Sequence, residues 1–221
     1  MEPPAEKVQP LKADLFGRVV RVDSSRGVRV VRDLAPAHWW VWPIARVLAA
    51  REARALRALR GLDGVPDLLS WNGRILERGW IEGQALQCRP MLDPRFYDAL
   101  RRLLIAVHRR RVTHNDLAKQ PNVLVRDDGR PALVDFQMAA VHARRGRWFR
   151  LCAREDLRHL LKHKRRYCPD ALSPRERAIL GTPSGPSRLW RATGKKVYLA
   201  WTRGVLGWSD REGAGDRGAV R

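Results

Sequence analysis

Cysteine, tyrosine and phenylalanine are scarce here: 3 Cys, 3 Tyr and 4 Phe in 221 residues. Cys88, Cys152 and Cys168 are odd in number, far apart and without metal-ligand spacing. That excludes a disulfide framework and a thiolate zinc site, and points to a reducing, cytoplasmic setting. No apolar run approaches the roughly 18 residues that a membrane-spanning helix needs. The opening MEPPAEKVQP has neither a basic start nor an apolar stretch, so residues 1–10 read as a flexible leader, not a signal peptide. Acidic residues are few: 23 Asp and Glu face 44 Lys and Arg, a formal charge of +21. Lysine is rare within that excess, at positions 7, 12, 119, 162, 164, 195 and 196 alone. Two explanations of the charge stand side by side: an acidic partner, or the arginine skew of a GC-rich coding sequence.

What is present is patterned as a globular α+β protein. LFGRVVRV (15–22) and GVRVVRDL (27–34) are Val-rich and flank a polar DSSR, which predicts two strands and a turn. From Ile44 to Leu59 the period becomes helical, with Leu48, Glu52, Ala55, Leu56 and Leu59 near one face. Asn72-Gly73 predicts a hairpin. Asp93-Pro94 then opens a second helix, whose stripe is Phe96, Leu100, Leu103, Leu104 and Val107. NVLVR and ALVDF flank the turn DDGRP. REDLRHLLKHKRRY predicts a basic helix, and SPRERAIL another from Ser173 or Pro174. SRLWRATGKKVYLAWTRGVL suggests a last helical piece broken at Gly194, and the polar tail after it should fray. The order implies a leader (1–10), a strand-rich lobe with one helix (11–82), a mainly helical lobe (83–182) and an extension (183–221), with a linker near Gly79–Gly83.

The most informative stretch is VTHNDLAKQPNVLV, 112–125, followed by ALVDF. A hairpin turning at Asp128-Gly129 brings Asn122 and Asp135 to one end, where two oxygen donors can hold a hard cation such as Mg²⁺. Asp116 stands nearby as a carboxylate able to accept a hydroxyl proton during phosphoryl transfer. His114 suits bracing the loop better than reacting. Each residue alone has a plain turn or cap explanation; the ordered combination does not.

VHRRRVTHNDLAKQPNVLV…ALVDFQ resembles the catalytic segment of the protein-kinase-like superfamily, and most of all its compact bacterial branch, the RIO-type and lipopolysaccharide core kinases. The resemblance implies a bilobal fold with a reduced helical lobe, and an ATP- and Mg²⁺-dependent kinase acting on a protein Ser/Thr or a lipid-linked glycan. It makes Asp116 the catalytic base, beside His114, and Asn122 and Asp135 the metal ligands. Gly17 takes the third position of the glycine-rich loop, and Arg32 that of the phosphate-binding lysine. Glu52 is the helix carboxylate paired with it. Main-chain groups of Gly79 and Ile81 are those that hold adenine, and Lys119 is a further phosphate contact. Lys12, from its place in the loop and not from the resemblance, is expected to reach the phosphates in place of the missing lysine.

The chain departs from that pattern at four places. Lys12 and Asp14 replace the first two glycines of the loop, and Arg32 replaces lysine. Asn122 lies six residues after Asp116, one more than the kinase spacing. Gln137 replaces the glycine of Asp-Phe-Gly. A second reading therefore stands beside the enzyme: a catalytically weak kinase-like scaffold that binds anionic membrane or nucleic acid through its basic surface. Arg144, Arg145, Arg147 and Arg150, in HARRGRWFR, could dock an acidic or phosphorylated acceptor, and LRHLLKHKRRY extends that character or is simply a solvated face. His159 and His163 have metal-ligand spacing but no evident third ligand. Trp39, Trp40 and Trp42 suit packing or a surface anchor. Nothing resembles a nucleic-acid motif. The setting implied is cytoplasmic, with room for peripheral contact at the inner face of the membrane.

Overall fold

Alternating valines between Lys7 and Asp33 form a meander of three antiparallel strands. β1 (Lys7–Asp14), β2 (Gly17–Ser24) and β3 (Gly27–Asp33) pair in order, with Val20 opposite Val31 and Val19 opposite Arg32. The computed structural model describes residues 6–25, 27–89 and 93–182. β4 (Leu68–Trp71) and β5 (Ile75–Gly79) complete a sheet of order β1-β2-β3-β5-β4. Their hairpin turns at Asn72-Gly73 as the sequence implies: Asn72 Oδ1 accepts the N–H groups of Arg74 and Ile75 at 3.0 and 2.8 Å. β1 begins inside the stretch read as a leader. Its residues are nearly all exposed, so it lacks the alternating burial by which a strand is recognised.

Helix α1 (Trp42–Ala58) packs on this sheet. Pro43 in its first turn suits a helix start. The buried face is Ala45, Ala49, Glu52, Ala53, Ala55 and Leu56, whereas Ile44 and Val47 point outward. Small side chains let the helix lie close to the strands; Glu52, Ala55, Leu56 and Leu59 of the expected face are buried, and Ala45, Ala49 and Ala53 widen it. Leu34, Ala45 and Ala49, with Phe16, Ala37, Trp42 and Trp71 against them, form a small core of their own. Trp39 and Trp40 are exposed.

After the two-residue strand β6 (Gln84–Ala85), helix α2 (Pro94–Arg109) starts under a cap from Asp93, whose side chain accepts Arg95 N–H at 2.7 Å. Its stripe is buried as the periodicity predicted, with Tyr97 added. β7 (Val112–Thr113) pairs with β10 (Ala140–Val141), and β8 (Val123–Val125) pairs with both β6 and β9 (Pro131–Leu133). Helix α3 (Arg147–Tyr167) begins earlier than REDLRHLL implied, because Phe149 extends its buried face. Asp156, Arg158, His163 and Lys164 are buried on it, while Arg165 and Arg166 stay exposed, so only part of its basic character is solvated. α4 (Pro174–Gly181) opens with a capping box: Glu176 N–H donates to Ser173 Oγ, and Ser173 N–H to Glu176 Oε2.

One core runs from Ala55, Leu56 and Leu59 of α1 through α2, β8 and β9 to Leu160 and Leu161 of α3. The strand-rich and helical halves are thus joined by shared packing. The described residues up to Leu180 belong to one compact unit. The expected helix near Gly194 and the polar tail lie outside the described residues. Among the described residues no helix is long and apolar enough to cross a membrane.

Candidate active site

Asp116 follows β7 in a loop whose backbone is held from beneath. The carboxylate of Asp156, wholly buried on α3, accepts His114 N–H and Asn115 N–H, both at 2.8 Å, and meets His108 Nε2 at 3.1 Å. His163 Nε2 donates to Leu117 O at 2.7 Å. A buried carboxylate needs such donors, and here two of them are main-chain groups of the loop. His114 is itself wholly buried. Its ring lies 4.6 Å from that of Phe136, and Nε2 donates to Val134 O at 3.0 Å. That burial removes His114 from the reacting groups and makes it a brace. Nothing in the local sequence pointed to Asp156: an acid in a basic helix reads as surface until the loop is folded over it.

The hairpin of β8 and β9 brings the next pair together. Val134 N–H donates to Asn122 O at 3.0 Å, so Asn122 and Asp135 occupy adjacent strand ends. Asn122 Nδ2 donates to Asp116 O at 2.9 Å and to Asp116 Oδ2 at 3.1 Å. The longer segment between Asp116 and Asn122 ends in a 3-10 turn at Gln120–Asn122. Asp135 has φ 62° and ψ 67°, a left-handed conformation uncommon for a residue with a side chain. Asn115 has φ 65°, and its Nδ2 donates to Met138 O at 3.0 Å, tying the two loops. Asn122 and Asp135 offer hard oxygen donors of the kind Mg²⁺ takes, and Mg²⁺ characteristically uses few protein ligands.

Arg32 on β3 and Arg78 on β5 converge on Glu52, which is buried. The distances are 3.4 Å from Arg32 Nη1 and 3.1 Å from Arg78 Nε. Arg32 opposes Leu76 and Val30 opposes Arg78, so both cations share one sheet face and Glu52 neutralises both. Arg78 was not anticipated; its two-residue spacing from buried Leu76, which puts both on one face of β5, was the available signal. Arg51, also unanticipated, donates to Met138 O and Ala139 O at 3.1 and 3.3 Å and fastens α1 to the segment after Asp135.

The remaining anticipated residues sit as follows. Lys12 Nζ is 3.0 Å from Asp14 Oδ2, and Asp14 Oδ1 accepts Phe16 N–H at 2.9 Å. The loop's acid is thereby neutralised by its own lysine. Gly17, at φ 119°, is buried, and a Cβ there would collide with the Asp33 carbonyl oxygen. Its glycine identity is explained by that close approach. Lys119 Nζ lies 3.2 Å from Asp116 Oδ2. Gly79 N–H is committed to Asp67 O at 2.8 Å, so a base cannot use that donor. His159 and His163 do not build a metal site: His163 is spent on Leu117, and among the described residues no cluster of three or more His, Cys, Asp or Glu is placed to hold an ion. Arg145 donates to His108 O and Arg109 O, and Arg150 to Arg145 O, so both serve the end of α2 and the start of α3 as well as facing solvent.

A five-stranded antiparallel sheet with one helix bearing a buried Glu, followed by a helical half presenting Asp, Asn and Asp on a loop and hairpin, is a small bilobal kinase-like fold. Comparison with family models matches the RIO domain over residues 32–177, and the chain belongs to the RIO domain family. That family is part of the protein-kinase-like superfamily, whose common activity is ATP-binding phosphotransfer. Lys12 and Gly17 lie outside the matched residues. None of the curated proteins matches the chain.

Proposed function

We propose that this protein is an ATP- and Mg²⁺-dependent kinase that phosphorylates a hydroxyl of a protein Ser/Thr or of a lipid-linked glycan. The observation that carries the reading is the contact of Asn122 Nδ2 with Asp116 Oδ2 at 3.1 Å, one strand end from Asp135. Asp116 takes the acceptor's proton as its oxygen bonds to the γ-phosphorus; the bond from that phosphorus to the β–γ bridging oxygen breaks, and ADP leaves. Asn122 and Asp135 hold Mg²⁺, which when bound neutralises charge on the transferring phosphoryl group. Arg32, fixed by Glu52, contacts the phosphates. Lys119, 3.2 Å from Asp116 Oδ2, orients that carboxylate and stands on the γ-phosphate side. Lys12 shields Asp14 from the nucleotide. Catalysis on this reading is mostly positioning and charge neutralisation.

Exposed Arg144 and Arg147, beside Trp148 at 65% exposure, favour an anionic acceptor or one presented at an anionic membrane face. A cytoplasmic location suits the free cysteines. The test is labelled ATP incubated with lysate separated into protein and lipid fractions. Label transferred by the wild type and lost in Asp116→Ala identifies the acceptor class. Asp116→Ala should keep ATP binding, whereas Asp135→Ala should lose its Mg²⁺-dependent part. Retained turnover in both variants rejects the assignment. Salt-sensitive binding to polyanions without a nucleotide-induced thermal shift would instead support the scaffold reading.

A further inference from the structure

The two departures nearest the site, Arg32 and Gln137, touch each other. Arg32 Nη1 and Nη2 both donate to Gln137 Oε1 at 3.3 Å, and Gln137 Nε2 donates to Asp135 Oδ2 at 3.0 Å. We propose that Gln137 is a positioning residue that couples the Arg32 guanidinium to the Asp135 carboxylate, and that Arg32 and Gln137 are a compensating pair. The proposal rests on the kinase reading above.

The chemistry favours this combination. A primary amide offers an acceptor to a guanidinium and a donor to a carboxylate in the same side chain. A Glu at this position would accept from Arg32 but set a second negative charge beside Asp135. A Gly would leave the fork of Arg32 without its partner in the helical half and Asp135 Oδ2 without its donor. A planar fork and a compact ammonium also need different surroundings. The fork reaches Glu52 with one amino group and spans Gln137 with both. The result is a continuous path, Arg78–Glu52–Arg32–Gln137–Asp135, from β5 to the metal-binding end of the hairpin. Groups that orient a ligating carboxylate commonly affect metal affinity strongly without touching the metal.

The test measures ATP binding to the full chain by calorimetry across a Mg²⁺ titration, with melting temperature recorded without nucleotide. Gln137→Met keeps the bulk and removes both hydrogen bonds. It should raise the Mg²⁺ concentration for half-maximal ATP binding by about tenfold. Gln137→Asn makes the same measurement should the Met variant fail to fold. Arg32→Lys and Gln137→Gly should each weaken binding. The double variant should bind better than the product of the single effects implies, with non-additivity of roughly fivefold. Single effects that multiply in the double variant overturn the compensating pair. A Met or Asn variant that changes only the melting temperature overturns the positioning role. Asp135→Ala separates the two levels of inference. If it abolishes Mg²⁺-dependent binding while the Gln137 variants match wild type, the kinase reading stands and this proposal falls. If wild type itself shows no Mg²⁺-dependent ATP binding, both fall.

Discussion

Asp156 and His114 are 42 residues apart in sequence, yet the Asp156 carboxylate takes the His114 main-chain N–H at 2.8 Å. The same carboxylate takes Asn115 N–H, so one buried side chain of α3 holds two successive main-chain groups of the loop that carries Asp116, and His163 of the same helix holds Leu117 O. Removing the Asp156 carboxylate leaves the buried His114 N–H and the part-buried Asn115 N–H without that acceptor. Asp156→Ala should cost about 3–5 kcal/mol, the range for losing one partner of a buried charged network. Urea unfolding measures that cost. Any folded fraction should turn over much more slowly, since Asp116 loses its placement.

Asp135 carries its side chain at φ 62°. Glycine adopts that conformation without penalty, whereas alanine does not. Asp135→Gly should therefore be more stable than Asp135→Ala by about 1 kcal/mol, while both lose Mg²⁺-dependent nucleotide binding. Equal stability of the two variants in chemical denaturation would show that the backbone there is unstrained.

Glu52 is buried between two guanidinium groups. Glu52→Gln keeps the shape and removes the charge, leaving Arg32 and Arg78 on one sheet face with nothing to neutralise them. Stability should drop by about 2–4 kcal/mol, and ATP affinity should fall because Arg32 is no longer held. An effect on melting temperature alone would detach Glu52 from the nucleotide site.

Burial, followed by the Lys162 charge, pushes the His159 imidazole down to about 4. Burial also lowers His163, against the opposing effect of its bond to Leu117 O. In the unfolded chain both titrate near 6.5. Below that pH the unfolded chain binds protons that the folded chain does not, so stability is full above about pH 6.5 and declines as pH falls toward about 4. His159 contributes no more than about 3 kcal/mol to that decline. Burial alone would raise Glu176, but Ser173 N–H and Lys164 outweigh it and hold its carboxyl below the ordinary value. Its contribution is present above the ordinary carboxylate range and is lost as pH falls through its lower folded value. Melting temperature followed from pH 7 to 4 should fall less steeply in His159→Leu than in the wild type.

Local chemistry was legible where short-range rules decide structure. Asp93-Pro94, Asn72-Gly73 and Ser173-Pro174 mark caps and turns through hydrogen bonds a few residues long. The stripe of α2 followed from its period. The neighbourhood of Asn122 and Asp135 followed from a single hairpin. Less legible was β1, whose exposed residues lack alternation. On α1 the expected Glu52, Ala55 and Leu56 are buried, but the alanines at 45, 49 and 53, which carry little hydrophobic signal, were not read as part of that face.

The sequence by itself determined the alternation of strands and helices from β2 onward in outline, the capped starts of α2 and α4 and the three oxygen-bearing residues of the candidate site, because each depends on neighbours close along the chain. Only the tertiary structure decided that Asp156 supports the loop, that Arg78 shares Glu52, that Gly79 is already bonded to Asp67 and that Gln137 bridges Arg32 to Asp135. A charged or amide side chain is indifferent to its partner until folding removes water and leaves one group in reach.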